Sequence, residues 1–104
     1  MRTKKKSDAV KFLESISDGP LTLGSVLNSL RLAEDMTQAQ MAKKLRISTA
    51  HLSQIEKGHK FLSPERAQAF AKKLGHSPVM FVKYSLQDQL TRAKLPYKIV
   101  LEAS

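Results

Sequence analysis

The 104 residues carry 18 Lys+Arg against 9 Asp+Glu, a formal net charge of +9 and a pI of about 10.1, an excess that calls for a polyanionic partner, nucleic acid first. One domain exhausts this length, which leaves no room for a core plus a wide catalytic cleft between domains. Cysteine is absent, which excludes a disulfide framework, a Cys-based zinc site and a thiol nucleophile and suits a reducing cytoplasm.

Hydrophobic content is 41%, with four Phe, two Tyr and no Trp. The core therefore falls mainly to Leu, Val, Ile, Met and Ala, the mix of a helical bundle. The opening MRTKKKSDAVKFLESI lacks the apolar core and small-residue cleavage site of a secretory signal, and Asp8, Glu14 and Asp18 argue against an organelle transit peptide. Ala9, Phe12, Leu13 and Ile16 fall at i, i+3, i+4, i+7, which predicts a helix with Ser7 as its N-cap and Asp18-Gly19-Pro20 as its end. Lys4, Lys5 and Lys6 before it form either a solvated tail or a flexible arm that reaches along a groove. Leu23, Val26, Leu27 and Leu30 repeat the spacing behind Thr22, a second helix running to about Ala33.

Thr37 and Gln40 form a capping box, with Met36 and Met41 placed as the accompanying hydrophobic staple. Met41, Ala42 and Leu45 then face inward. Ser48 opens the next short helix; if Leu52 and Ile55 point to the core, a rotation of about 100° per residue puts Ala50, Ser53, Gln54 and Lys57 opposite, with Thr49 at the rim. Gly58 is its natural stop. Ser63-Pro64 and Ser77-Pro78 start two more helices, each a capping hydroxyl before a proline at N1. The first buries Ala67, Phe70, Ala71 and Leu74 and ends at Gly75. The second is expected to bury Val79, Val82 and Leu86, extending to Leu90 and Ala93. After Pro96, Tyr97, Ile99 and Leu101 share one face of an extended chain and Lys98, Val100 and Glu102 the other, which predicts a short C-terminal strand. Nothing else in the chain would pair with it, so it either meets its equivalent in a second copy or forms a docked or disordered tail.

Two capped helices separated by Leu45, Arg46 and Ile47 make a helix-turn-helix, whose second helix enters the DNA major groove. At this point the sequence resembles the Cro/repressor-type, or XRE, helix-turn-helix family. TQAQMAKKLRIS carries the family's Thr-Gln start, its hydrophobic-Ala pair (Met41, Ala42) and its turn hydrophobe (Leu45). STAHLSQIEKG carries Leu52, Ile55 and the Glu56-x-Gly58 ending, and the two Ser-Pro starts resemble the family's fourth and fifth helices. The likeness covers about residues 21–92. It implies that Gln38 donates to a DNA phosphate, that Thr49, Ala50 and Gln54 face the bases, and that His51, Ser53 and Lys57 lie nearer the DNA backbone. Arg46 stands where the family usually has Gly, which costs about 1 kcal/mol if the turn needs a positive φ. Ala50 replaces an amide or a cation and so offers only methyl contact with thymine, which shifts specificity toward Thr49, Gln54 and DNA shape.

Lys43 and Lys44 on the outer side of the first motif helix, and Lys57 and Lys60 after the second, are placed to neutralise phosphates. His51, His59 and His76 are too scattered for a metal site and read as surface histidines. Ser48, Ser63 and Ser77 read as caps, not nucleophiles, Met36, Met41 and Met80 as core, and Glu56 as a structural acid that caps or pairs with a base. The chain is thus expected to be no enzyme and to need no cofactor or metal. A basic bundle that binds RNA or a protein remains compatible with composition; the capped helix pair, its short turn and the resemblance favour double-stranded DNA.

The expectation is an all-α bundle of five to six helices with a C-terminal β-strand. Residues 1–20 form a basic arm and helix, 21–93 the helix-turn-helix domain, and 94–104 a dimerisation element. The resemblance implies a cytoplasmic, nucleoid-associated homodimeric repressor reading a near-palindrome with half-sites about 34 Å apart. The alternative is an antitoxin that neutralises a toxin protein and represses its own operon, with the partner docking on the N-terminal helix and C-terminal strand. There is no room for a sensor domain, so control would run through a partner, proteolysis or concentration.

Overall fold

The computed structural model describes residues 22–102. The Lys4–Lys6 arm and the helix expected over Ala9 to Ile16 lie outside them. Five helices follow in order: α1 (Leu23–Ala33), α2 (Gln38–Leu45), α3 (Thr49–Glu56), α4 (Pro64–Leu74) and α5 (Pro78–Arg92).

All five start the same way. A hydroxyl on Thr22, Thr37, Ser48, Ser63 or Ser77 accepts from the backbone N–H three residues on, satisfying one donor the helix cannot use itself. Thr37 and Gln40 complete the capping box reciprocally, at 3.1 and 2.8 Å. All five also stop the same way. The N–H groups of Met36, Ile47, His59, His76 and Leu95 reach back to the carbonyls of Arg31, Ala42, Gln54, Ala71 and Leu90 at 2.8–3.0 Å, the six-to-one bond of a Schellman motif. The residue before each is left-handed: Asp35, Arg46, Gly58, Gly75 and Lys94, with φ between 55° and 82°. Three of these carry a Cβ, which costs on the order of 1 kcal/mol apiece. The α2–α3 turn therefore keeps the shape a glycine would give it, with Arg46 at φ 61°.

Leu23, Val26, Leu27 and Leu30 of α1, Met41, Ala42 and Leu45 of α2, and Leu52 and Ile55 of α3 pack with Leu62, Ala67, Phe70, Ala71, Phe81 and Tyr84 into one core. Met36, Ile47, Leu74 and Met80 lie half-buried against it. Gly24 sets how closely α1 can cross α3, since a Cβ there would collide with the carbonyl of Ile55.

Two expectations fail at the C-terminal end. Helix α5 buries Phe81, Tyr84, Ser85, Gln87 and Asp88, whereas Val79 is 46% exposed, Ala93 is exposed, and Val82, Leu86 and Leu90 are half-buried. The helix turns a polar stripe inward because each polar group there meets a partner: Ser85 Oγ donates to the Leu62 carbonyl at 2.8 Å, and Asp88 Oδ2 accepts the Leu23 N–H at 3.2 Å. The second failure is the C-terminal strand, for the described residues contain no strand. Residues 95–102 run without a ladder along α5, and Gln87 substitutes for the missing neighbour. Its Nε2 donates to the Tyr97 carbonyl at 3.0 Å and its Oε1 accepts the Ile99 N–H at 2.8 Å. Ile99 and Leu101 are half-buried, whereas Tyr97, expected on their face, is 65% exposed.

Burial of the Asp88 carboxyl raises its pKa from 3.8 to about 6, against the opposing pull of the Leu23 N–H and the Arg92 charge. Arg92 itself lies over the Phe61 ring, 3.7 Å from its centroid, tying the α3–α4 loop to α5.

Candidate nucleic-acid interface

Helix α3 is eight residues long and is pinned by two of them. Leu52 and Ile55 are fully buried, at 0% and 2% exposure. The rotation this imposes leaves Thr49, Ala50 and Lys57 exposed and His51, Ser53 and Gln54 half-buried. Thr49, Ala50 and Gln54 thus share a face that nothing in the core claims. Ser48, before the first turn, spends its hydroxyl on the His51 N–H at 3.0 Å, so it acts as a cap.

Beyond the apolar packing, a charged cluster ties α3 to α1 and α2. Glu56, its last residue, accepts Arg31 Nε at 2.9 Å on Oε2 and Arg31 Nη2 at 3.1 Å on Oε1. Both side chains are nearly covered, at 13% and 4% exposure. Arg31 Nη1 goes on to the Met36 carbonyl at 3.0 Å, and Gln38 Nε2 donates to Glu56 Oε1 at 3.0 Å. One carboxylate therefore joins the end of α1, the start of α2 and the end of α3. A two-pronged guanidinium–carboxylate pair resists rotation as well as separation, so the angle at which α3 is presented is fixed.

Gln38, at the first position of α2, gives one amide hydrogen to that carboxylate and has another left. The α2 N-terminus beside it carries the positive end of the helix dipole, where an anion is favoured. Lys43 and Lys44 are exposed in the last turn of α2, where they complement its negative end. Lys73 approaches the same end from α4, its Nζ 3.4 Å from the Leu45 carbonyl. Arg46, Lys57 and Lys60 are exposed on the segments flanking α3. The segments before and after α3 thus carry exposed cations, while its open face presents a hydroxyl, a methyl and an amide, a division between charge attraction and edge contact that suits a duplex.

Two residues on this side escaped the sequence reading. Arg31 is 25 residues from Glu56, and no helical spacing links them. His59 is exposed, as a surface histidine should be, but its Nδ1 lies 3.1 Å from Gln54 Oε1, an approach that follows from the left-handed turn at Gly58. His76, expected on the surface as well, is instead buried at 7% exposure, with Nε2 3.2 Å from Glu34 Oε2. Among the described residues no three His, Asp or Glu groups gather in a way that would hold a metal ion, and no helix is long and apolar enough to cross a membrane.

Compared with known families, the chain matches a family model described as helix-turn-helix over residues 27–81, just over half of its length, from the middle of α1 to the first turn of α5. No curated protein and no solved structure matches it.

Proposed function

The chain belongs to the Cro/XRE-type helix-turn-helix family of DNA-binding transcriptional regulators, and from that premise we propose that it is a homodimeric, sequence-specific repressor. In this reading α3 enters the major groove, with Thr49, Ala50 and Gln54 toward base edges. Gln38, Lys43, Lys44, His51, Ser53, Lys57 and Lys60 contact the sugar-phosphate backbone. The observation that carries the proposal is the outward face of α3: three small or amide side chains left open by a helix whose Leu52 and Ile55 are buried completely. A groove about 12 Å wide admits one such helix, and small side chains let it approach base edges closely.

A two-fold pair of protomers would put two α3 helices on successive grooves about 34 Å apart and so read a near-palindrome. Support for a second copy comes from the C-terminal segment, where Leu95, Tyr97 and Val100 are 45%, 65% and 80% exposed. Covering them between copies removes apolar surface from water at roughly 25 cal/mol per Å². Sedimentation tests this: the full chain should be dimeric and a chain ending at residue 95 monomeric, and a truncated chain that stays dimeric would remove the segment from the interface. Copurification of a stable heterologous complex in place of the dimer would favour the antitoxin role instead.

The DNA reading is tested with an operator recovered by selection from random duplexes. Gln54→Ala should weaken operator binding by about 1–3 kcal/mol beyond its effect on random duplex. Lys43→Ala should weaken both alike and lower the salt slope by about one. Equal losses from both variants on both DNAs would reject the assignment of roles.

A further inference from the structure

Three contacts from the loop that leaves α3 converge on one residue. The carbonyl of Gln54 accepts the N–H of His59 at 2.9 Å and that of Lys60 at 3.3 Å, and its side-chain Oε1 meets His59 Nδ1 at 3.1 Å. The first is the six-to-one bond that closes α3, made possible by Gly58 at φ 82°. The helix stop therefore delivers the imidazole to the side chain of the residue it caps. A carboxamide carries an acceptor and two donors about 2.2 Å apart, and anchoring the oxygen determines where the donors go. Among the described residues no protein group takes a hydrogen bond from Gln54 Nε2.

We propose that His59 is a positioning residue for base recognition: an Nδ1–H holds the Gln54 oxygen toward the loop, so that Gln54 offers the groove donors only. The proposal rests on the assignment of α3 as the recognition helix and adds the chemical sense in which Gln54 reads. An unrestrained glutamine pairs with adenine, donating to N7 while accepting from the N6 amino group. With its oxygen withdrawn, the adenine amino group has no acceptor to meet. Guanine offers N7 and O6, two acceptors side by side, and matches a donor-only amide. The Gln54 contact is therefore to guanine in preference to adenine.

The geometry also says how to reverse the preference. Asn at position 59 can place an amide N–H close to where Nδ1 sits, Asp places an acceptor there, and Ala places nothing. His59 is exposed, and the two backbone bonds to Gln54 do not depend on its side chain, so these variants should fold and melt like the parent. Selection from a random duplex pool by the full chain, followed by sequencing, gives the base preference at each position. The parent should favour guanine over adenine at the position that loses its preference in Gln54→Ala, by about tenfold. His59→Asn should retain that preference, whereas His59→Ala, which frees the amide, and His59→Asp, which draws its nitrogen to the loop, should both turn it toward adenine. These are ratios within one variant, so a general loss of affinity from the added negative charge does not affect them. If Gln54→Ala alters a position but His59→Ala and His59→Asp leave it as in the parent, His59 has no positioning role and α3 remains the reading helix. If Gln54→Ala alters no position, the recognition-helix assignment itself fails.

Discussion

Helices α3 and α5 dispose of their polar residues in opposite ways. Helix α3 buries Leu52 and Ile55 and leaves Thr49, Ala50 and Gln54 available; α5 buries Ser85, Gln87 and Asp88 and leaves Val79 in water. Ser85, Gln87 and Asp88 each have a partner within the chain: the Leu62 carbonyl, the C-terminal segment and the first N–H of α1, respectively. Burying such groups unpaired would cost several kcal/mol, so α5 acts as a structural brace whose hydrogen bonds are already made. On α3, by contrast, no protein group among the described residues accepts a hydrogen bond from Gln54 Nε2. Polarity on a helix face therefore says little about function until the partners are known.

Glu56 is the point at which α3 behaves like α5, and breaking it should give the largest effect. Its carboxylate is almost fully covered and holds Arg31 and Gln38. Glu56→Ala strands a buried guanidinium and should lower unfolding stability by about 3–5 kcal/mol in urea titrations. Replacing both partners, Arg31→Met with Glu56→Met, should recover much of that stability because no unpaired charge remains. A single-site loss below 1 kcal/mol would mean that the pair does not hold the three helices together.

Gln87→Ala should come next, at about 1–3 kcal/mol, since it removes two hydrogen bonds from a buried amide. The loss should be local. Hydrogen exchange at the Ile99 amide should accelerate far more than at Leu52, and equal acceleration at both would show that the C-terminal segment is part of the cooperative core rather than clamped by one side chain.

Asp88 gives the same comparison a dependence on pH. Burial holds its pKa near 6, above the 3.8 of an unperturbed carboxyl, so the folded chain binds this proton more tightly than the unfolded one. Its contribution to stability is fully present below about pH 4 and is lost as pH rises toward 6. Asp88→Asn keeps an oxygen for the Leu23 N–H and removes the titration; thermal unfolding between pH 4 and 7 should then show a flatter profile than the parent. Identical profiles would mean that the carboxyl is not desolvated at the α1–α5 contact.

The comparison also explains which parts of the fold the sequence discloses. Every helix start was legible, because Ser or Thr before a helical run, twice followed by Pro, reports a local bond three residues long. The inward faces of α1 to α3 were legible too, because their buried residues are the apolar ones. On α5 the most apolar stripe, Val79 to Leu90, is not the buried one. The partners that admit Ser85 and Asp88 to the interior are 23 and 65 residues away, and periodicity carries no trace of them. The C-terminal segment has the alternation of a strand, but one glutamine on α5 supplies the pairing an adjacent strand would give. The three side chains assigned to the bases were named from the family likeness. The Arg31–Glu56 pair and the His59 contact, which fix how those side chains are presented, appear only once the chain is folded.

The smallest effect concerns how α2 and α4 end. Both close with the same Schellman bonds, α4 through Gly75 at φ 73° and α2 through Arg46 at φ 61°. A left-handed arginine costs about 1–2 kcal/mol in the folded chain, and a glycine in its place costs about 0.5–1 kcal/mol in added freedom of the unfolded one. Arg46→Gly should therefore stabilise by no more than about 1.5 kcal/mol, measured as a rise in the urea midpoint with an unchanged slope. Gly75→Ala should do the reverse at an identical backbone position, destabilising by about 1 kcal/mol although open space surrounds the added methyl. Since Arg46 lies outside α3, its replacement should leave base preference as in the parent. A changed preference would mean that the turn's shape, and with it the approach of α3 to a duplex, depends on the arginine side chain.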